Sequence, residues 1–86
     1  MKCIFRPSFS KNYEKLASKV KDQFKIRRDI FLKNPFHPIL NNHPLHGEYS
    51  DFRSINITGD YRVIYFMKDE IAIFIRIGTH SELFKK

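Results

Sequence analysis

The chain has 86 residues and a formal net charge of +7, which allows one small core and excludes a second. Apolar residues make up 42% of it and nine residues are phenylalanine, a composition that excludes a disordered chain. The single cysteine, Cys3, can form no internal disulfide. The N-terminal apolar stretch is too short for a signal peptide, and no run approaches a membrane span. The expectation is one domain over residues 1–86, in a reducing cytoplasm.

The charge is unevenly placed. Residues 1–34 carry ten Lys or Arg against three acidic residues, whereas residues 35–86 carry six of each sign. A basic half beside a neutral half suits phosphates or an acidic protein partner, and equally a helix pair kept soluble by lysines. Lys2 to Arg6 reads as a short edge strand ended by Pro7, with Ser8 as the N-cap of a helix. Apolar residues recur at Phe9, Tyr13, Leu16, Ala17, Val20 and Phe24, then at Ile26, Ile30 and Phe31, the rhythm of helices with one buried face. An unbroken helix over residues 9–34 would run roughly 39 Å at ~1.5 Å per residue, too long for a chain with a radius of gyration of ~12 Å. The spacing therefore predicts a helical hairpin broken between Ala17 and Asp22. The second helix should stop at Asn34, because Pro35 disfavours helical geometry in the residue before it.

Pro35 to Gly47 holds three prolines, one glycine and three histidines, so it reads as a loop crossing one side of a sheet. His43 and His46 have the spacing of a helical metal pair. Pro44 lies between them and no acidic or cysteine ligand stands nearby, so no metal site is expected.

Three strands follow. Phe52 to Thr58 alternates, with Arg53, Ile55 and Ile57 on one side and Ser54, Asn56 and Thr58 on the other. Gly59-Asp60 reads as a tight turn that supplies positive backbone angles, Tyr61 to Met67 as the next strand, and Lys68-Asp69-Glu70 as a second turn. In Ile71 to Ile77 an isoleucine stands at every second position, predicting a buried isoleucine row with Ala72, Phe74 and Arg76 on the opposite face. The architecture is then α+β in two layers: an N-terminal strand, a helical hairpin and a three-stranded antiparallel meander. Taken alone, Arg76 is a solvated residue on a half-exposed strand, and Arg62 an edge charge.

The order of elements, together with HPLHG (His43 to Gly47), FRSINITGDYRVIY (Phe52 to Tyr65) and IGTHSELF (Ile77 to Phe84), resembles the RelE/ParE superfamily of bacterial toxins. Within it, the sequence is most similar to the YafQ branch. The likeness covers nearly the whole chain, and the last motif is its most specific part. The resemblance implies an endoribonuclease that cuts messenger RNA on the ribosome, needs no metal or cofactor, and is held inactive in a hetero-oligomer with a cognate antitoxin. It implies a catalytic set of His43, Asp60, Arg76, His80 and Phe84, with Arg62, Tyr61 and Asn56 on the substrate. Ser54 and Asn56 stand where the branch carries an acid and a histidine, and Tyr61 replaces a tryptophan.

Cleavage by a ribose 2′-hydroxyl needs a base, an acid for the departing 5′-oxygen, and positive charge on the phosphorane oxygens. His43 and His80 suit the first two tasks near neutrality, and Arg76 with Arg62 the third. Asp60 suits orientation of a histidine or the base role, and Phe84 and Tyr61 suit stacking on a base. A gyrase-binding toxin of the ParE type and an inactive homologue that binds only its antitoxin are the alternatives.

Overall fold

Proline has no amide to extend a strand ladder but fits the first turn of a helix, and Pro7 marks both events. In the computed structural model, which describes residues 1–84, β1 spans Lys2–Phe5 and α1 Pro7–Glu14. The N-cap position falls on Arg6, which makes no side-chain cap. Ser8 is therefore not the cap expected from sequence, and its hydroxyl donates instead to Ile75 O at 2.6 Å.

The break between the helices lies at Lys15 to Ala17, one turn earlier than expected, and α2 spans Ser18–Lys33. Lys15 N and Leu16 N bond back to Asn12 O and Tyr13 O, a tightened end that turns Leu16 against the core. Ala17 leaves the turn in an extended conformation. At the other end α2 stops at Lys33 with Asn34 extended, as Pro35 requires.

Among the described residues the sheet has five strands, in the order β1, β5 (Ile71–Thr79), β4 (Tyr61–Lys68), β3 (Arg53–Asn56), β2 (His43–Pro44). The meander consists of β3, β4 and β5. The crossing loop is less irregular than expected, because His43–Pro44 forms β2 and pairs antiparallel with β3. β1 runs parallel to β5 at the opposite edge.

α1 and α2 cover one face over a core that includes Phe9, Phe24, Phe31, Ile55, Val63, Tyr65 and Phe74. The isoleucine row is not the row that faces them. Ala72 and Phe74 are fully buried in this core, whereas Ile73 lies outside it. The alternation then changes at a bulge: Tyr65 pairs with Phe74 and Ile64 with Arg76, so Ile75 is an extra residue. The bulge resets the alternation, bringing Ile77 onto the helix side and Arg76 onto the other.

The turns also exchange roles. The backbone between β3 and β4 has no positive φ, and Thr58 Oγ1 accepts from Asp60 N at 3.2 Å and Tyr61 N at 3.0 Å. The positive angles occur at Asp69 (φ 50) and Glu70 (φ 66) between β4 and β5, the pattern of a two-residue type I′ hairpin turn.

Candidate active site

Cross-strand partners in an antiparallel sheet point to the same face, and the register builds a single transverse row. His43 pairs with Ser54, Ser54 with Ile64, and Ile64 with Arg76. His43, Ser54 and Ile64 in this row lie on the face away from α1 and α2, and Arg76, at its end on β5, bonds back through Nε to Asn12 of α1. One alternation further along, Asn56 pairs with Arg62 and Arg62 with Gly78 on the same face. The segment Pro35 to Gly47, distant in sequence from Arg76, thus delivers its histidine to the strand system that carries the arginine.

His43 has a defined tautomer. Its Nδ1 lies 2.8 Å from Asn41 O, and since a carbonyl only accepts, Nδ1 carries the hydrogen and Nε2 of the neutral ring keeps its lone pair. Asn41 sits in the left-handed region, with φ 45 and ψ 49, at the bend that leads into β2.

Arg76 is held at an unpaired edge. β1 ends opposite Phe74 while β5 continues to Thr79, so the β5 edge beyond β1 needs other partners. Ser8 and Asn12, one helical turn apart on α1, supply them: Ser8 donates to Ile75 O, and Asn12 Oδ1 accepts from Ile77 N at 3.4 Å and from Arg76 Nε at 3.1 Å. The bond to Asn12 engages Nε and not the terminal nitrogens. Arg76 lines a cavity of about 180 Å³ with Asn12, Lys15, Leu16, Tyr61, Ile77 and Glu82.

His80 opens α3, His80–Leu83. Thr79 Oγ1 accepts from Glu82 N at 3.2 Å and Glu82 Oε1 accepts from Thr79 N at 2.8 Å, a reciprocal cap that fixes this short turn. The two Thr79 bonds, backbone first, hold the Glu82 carboxyl below its usual range, with a smaller contribution from the Arg76 charge. His80 N donates to Asp60 O at 3.1 Å, so the start of α3 is tied to the turn that carries Asp60. The His80 and Phe84 rings lie 5.0 Å apart between centroids.

The remaining expected residues divide. Arg62 Nη1 donates to Thr58 O, Gly59 O and Tyr61 O at 3.1 to 3.3 Å, bracing the turn beside Asp60. Tyr61 packs against the helix-side core and lines the Arg76 cavity, on the opposite side of the sheet from Arg62. Asn56 lies in the expected row, its Oδ1 buried without a partner, and the Ser54 hydroxyl beside it is also unpaired. Sequence reasoning missed Asn12 as the support of Arg76, and Asn42, whose side chain bonds Pro35 O, Tyr65 Oη and Arg53 Nε next to His43. The Thr79-x-x-Glu82 spacing was a readable signal for the cap, whereas nothing local pointed to Asn12.

Among the described residues, no group of three or more His, Cys, Asp or Glu could hold a metal ion. No described helix is long and apolar enough to cross a membrane.

Fold and sequence together define the class. The family model described as bacterial toxin of type II toxin-antitoxin system, YafQ, matches residues 1–85, and the chain belongs to that family. It is 29% identical over 80 residues to the mRNA interferase toxin YafQ of Escherichia coli K12, covering 88% of this chain and 87% of that protein. The crystal structure of YafQ from E. coli BL21(DE3) is similar, with a TM-score of 0.79, 28% identity, and coverage of 95% of this chain and 96% of that one. The toxin fold in the E. coli DinJ-YafQ toxin-antitoxin complex matches with a TM-score of 0.75 and 28% identity, over 95% of this chain and 94% of that one.

Proposed function

We propose that this chain acts as one toxin domain of a type II toxin-antitoxin system and cuts translated messenger RNA in the cytoplasm by metal-independent acid-base chemistry. The observation that carries this reading is the row that joins His43 to Arg76 across three strand pairings, within a family whose relative is named an mRNA interferase.

His43 is the base. Its Nδ1–H is engaged by Asn41 O, so Nε2 takes the proton as the 2′-hydroxyl attacks phosphorus. Arg76 holds the non-bridging oxygens as charge builds on them. His80, exposed at the start of α3, gives its proton to the departing 5′-oxygen. Asp60, at the turn bound to the His80 amide, supports the imidazolium, and Phe84 packs on the His80 ring and offers a face to a base. Asn56 cannot take a proton as a histidine would, and its role is to hydrogen-bond the substrate. Arg62 keeps Nε and Nη2 for phosphate while Nη1 braces the turn. Tyr61 supports Arg76 through the shared cavity instead of stacking on a base.

The partners are the ribosome with its message and a cognate antitoxin that covers the basic or catalytic surface. Primer-extension mapping after induced expression tests the reading. Wild type produces cuts inside translated messages, whereas His80→Ala and Arg76→Ala each lower the cleavage rate by about 10² or more. Undiminished cleavage by both variants would sink the site assignment. Intact messages with DNA breaks would establish a topoisomerase-directed toxin instead.

A further inference from the structure

The nine phenylalanines and four tyrosines of the chain are not used alike. Phe9, Phe24, Phe31 and Phe74, between the helices and the sheet, are at most 2% exposed. On the other face a second set remains half-buried. There Phe84 lies 6.2 Å from Tyr49, Tyr49 5.9 Å from Phe52, and Phe52 5.5 Å from Phe66, all between ring centroids. Interplanar angles in this row run from 42° to 85°, so no ring face is taken up by a parallel neighbour. The row begins at His80 through Phe84 and ends where the Arg6 guanidinium lies 6.0 Å from the Phe66 centroid.

We propose that this row, from Phe84 through Tyr49 and Phe52 to Phe66, is a track for single-stranded RNA that takes the bases beside the scissile step by stacking. The proposal deepens the function proposed above and rests on it for the word scissile. Three observations favour RNA over a protein occupant. The rings are aromatic and part-exposed, whereas a core-like protein contact has no need of four rings in file. Cations stand at both ends of the row, with Arg62 on the same sheet face toward His80 and Arg6 over Phe66. The row starts at the proposed proton donor, so a base on Phe84 is next to the reacting phosphate. Part-exposed aromatics on a sheet face with flanking cations provide a sequence-tolerant stacking surface for unpaired bases.

Fluorescence anisotropy with a labelled 2′-O-methyl oligoribonucleotide, which lacks the attacking hydroxyl, tests the track without cleavage. The probe is compared with an oligomer of the same length whose central positions are abasic. The purified chain should bind the base-containing oligomer at least about tenfold more tightly. Phe66→Leu and Phe52→Leu should each reduce that affinity by roughly tenfold and leave the abasic affinity unchanged. Equal affinity for both oligomers would overturn the track, as would leucine variants that bind RNA normally but lose the antitoxin. If a leucine variant fails to fold, the comparison of the two oligomers on wild type decides. Cleavage of translated messages with no base dependence of binding would remove the track alone. Base-dependent binding with intact messages would remove the nuclease reading alone.

Discussion

The side-chain amide of Asn42 donates to Pro35 O at 2.8 Å and to Tyr65 Oη at 2.7 Å, and its oxygen accepts from Arg53 Nε at 2.7 Å. Arg53 in turn lies 5.2 Å from the Phe36 ring centroid. One residue therefore ties the entry of the crossing loop to β3 and β4 immediately before His43. Asn42→Ala leaves a buried phenol and a guanidinium nitrogen short of partners, and should cost about 1–3 kcal/mol in urea unfolding. It should also lower the cleavage rate by loosening His43. His43, Arg76 and His80 were legible in the sequence as candidates because they stand in compact motifs, and their catalytic roles belong to the proposal. Asn42 and Asn12 were not, since their bonds run to residues that only tertiary folding brings near. The packing of Tyr61 was not legible for a related reason: its ring lies against the helix-side core, which its motif does not reveal.

At the scale of the element, α3 stands on its cap. Thr79→Ala removes the acceptor for Glu82 N and should destabilise the chain by about 1 kcal/mol, read as a lower urea midpoint, with slower cleavage because His80 loses its fixed place. The cap is also pH-sensitive. Glu82 has a folded pKa below its ordinary 4.5, so its contribution is complete above that value and is lost as the pH falls through the lowered one. Amide protection factors at Thr79 and Glu82, taken against the intrinsic exchange rate at each pH, should therefore fall at acid pH in the wild type, and Glu82→Gln should flatten that acid dependence. The hairpin between β4 and β5 holds two non-glycine residues at positive φ, Asp69 and Glu70. Asp69→Asn with Glu70→Gly suits such a turn better and should stabilise the protein by about 1 kcal/mol, seen as a Tm higher by roughly 4–8 °C. The sequence located both turns but assigned the positive angles to Gly59-Asp60, because glycine permits them without requiring them. The bulge at Ile75 was not legible, since an inserted residue is defined by its pairing with β4 and leaves the pattern of β5 itself unbroken.

Over the whole molecule, the net charge of +7 lies in the half that forms β1, α1 and α2, while the proposed catalytic row and the proposed aromatic track lie mainly on the later strands. RNA affinity should therefore combine a salt-sensitive and a salt-insensitive part. The logarithm of affinity should fall linearly with the logarithm of salt for both base-containing and abasic oligomers, with the base-dependent difference between them nearly constant. The element order and the two-layer plan were legible, because hydrophobic rhythm and proline placement decide them locally. The short β2 was not, since two residues carry too little pattern. The central claim is that this face performs 2′-hydroxyl attack through a histidine base and a histidine acid. The most direct measurement is the chemistry of the cut ends recovered from a translating extract. A 2′,3′-cyclic phosphate or 3′-phosphate upstream with a 5′-hydroxyl downstream is predicted, whereas a 3′-hydroxyl with a 5′-phosphate would contradict the account.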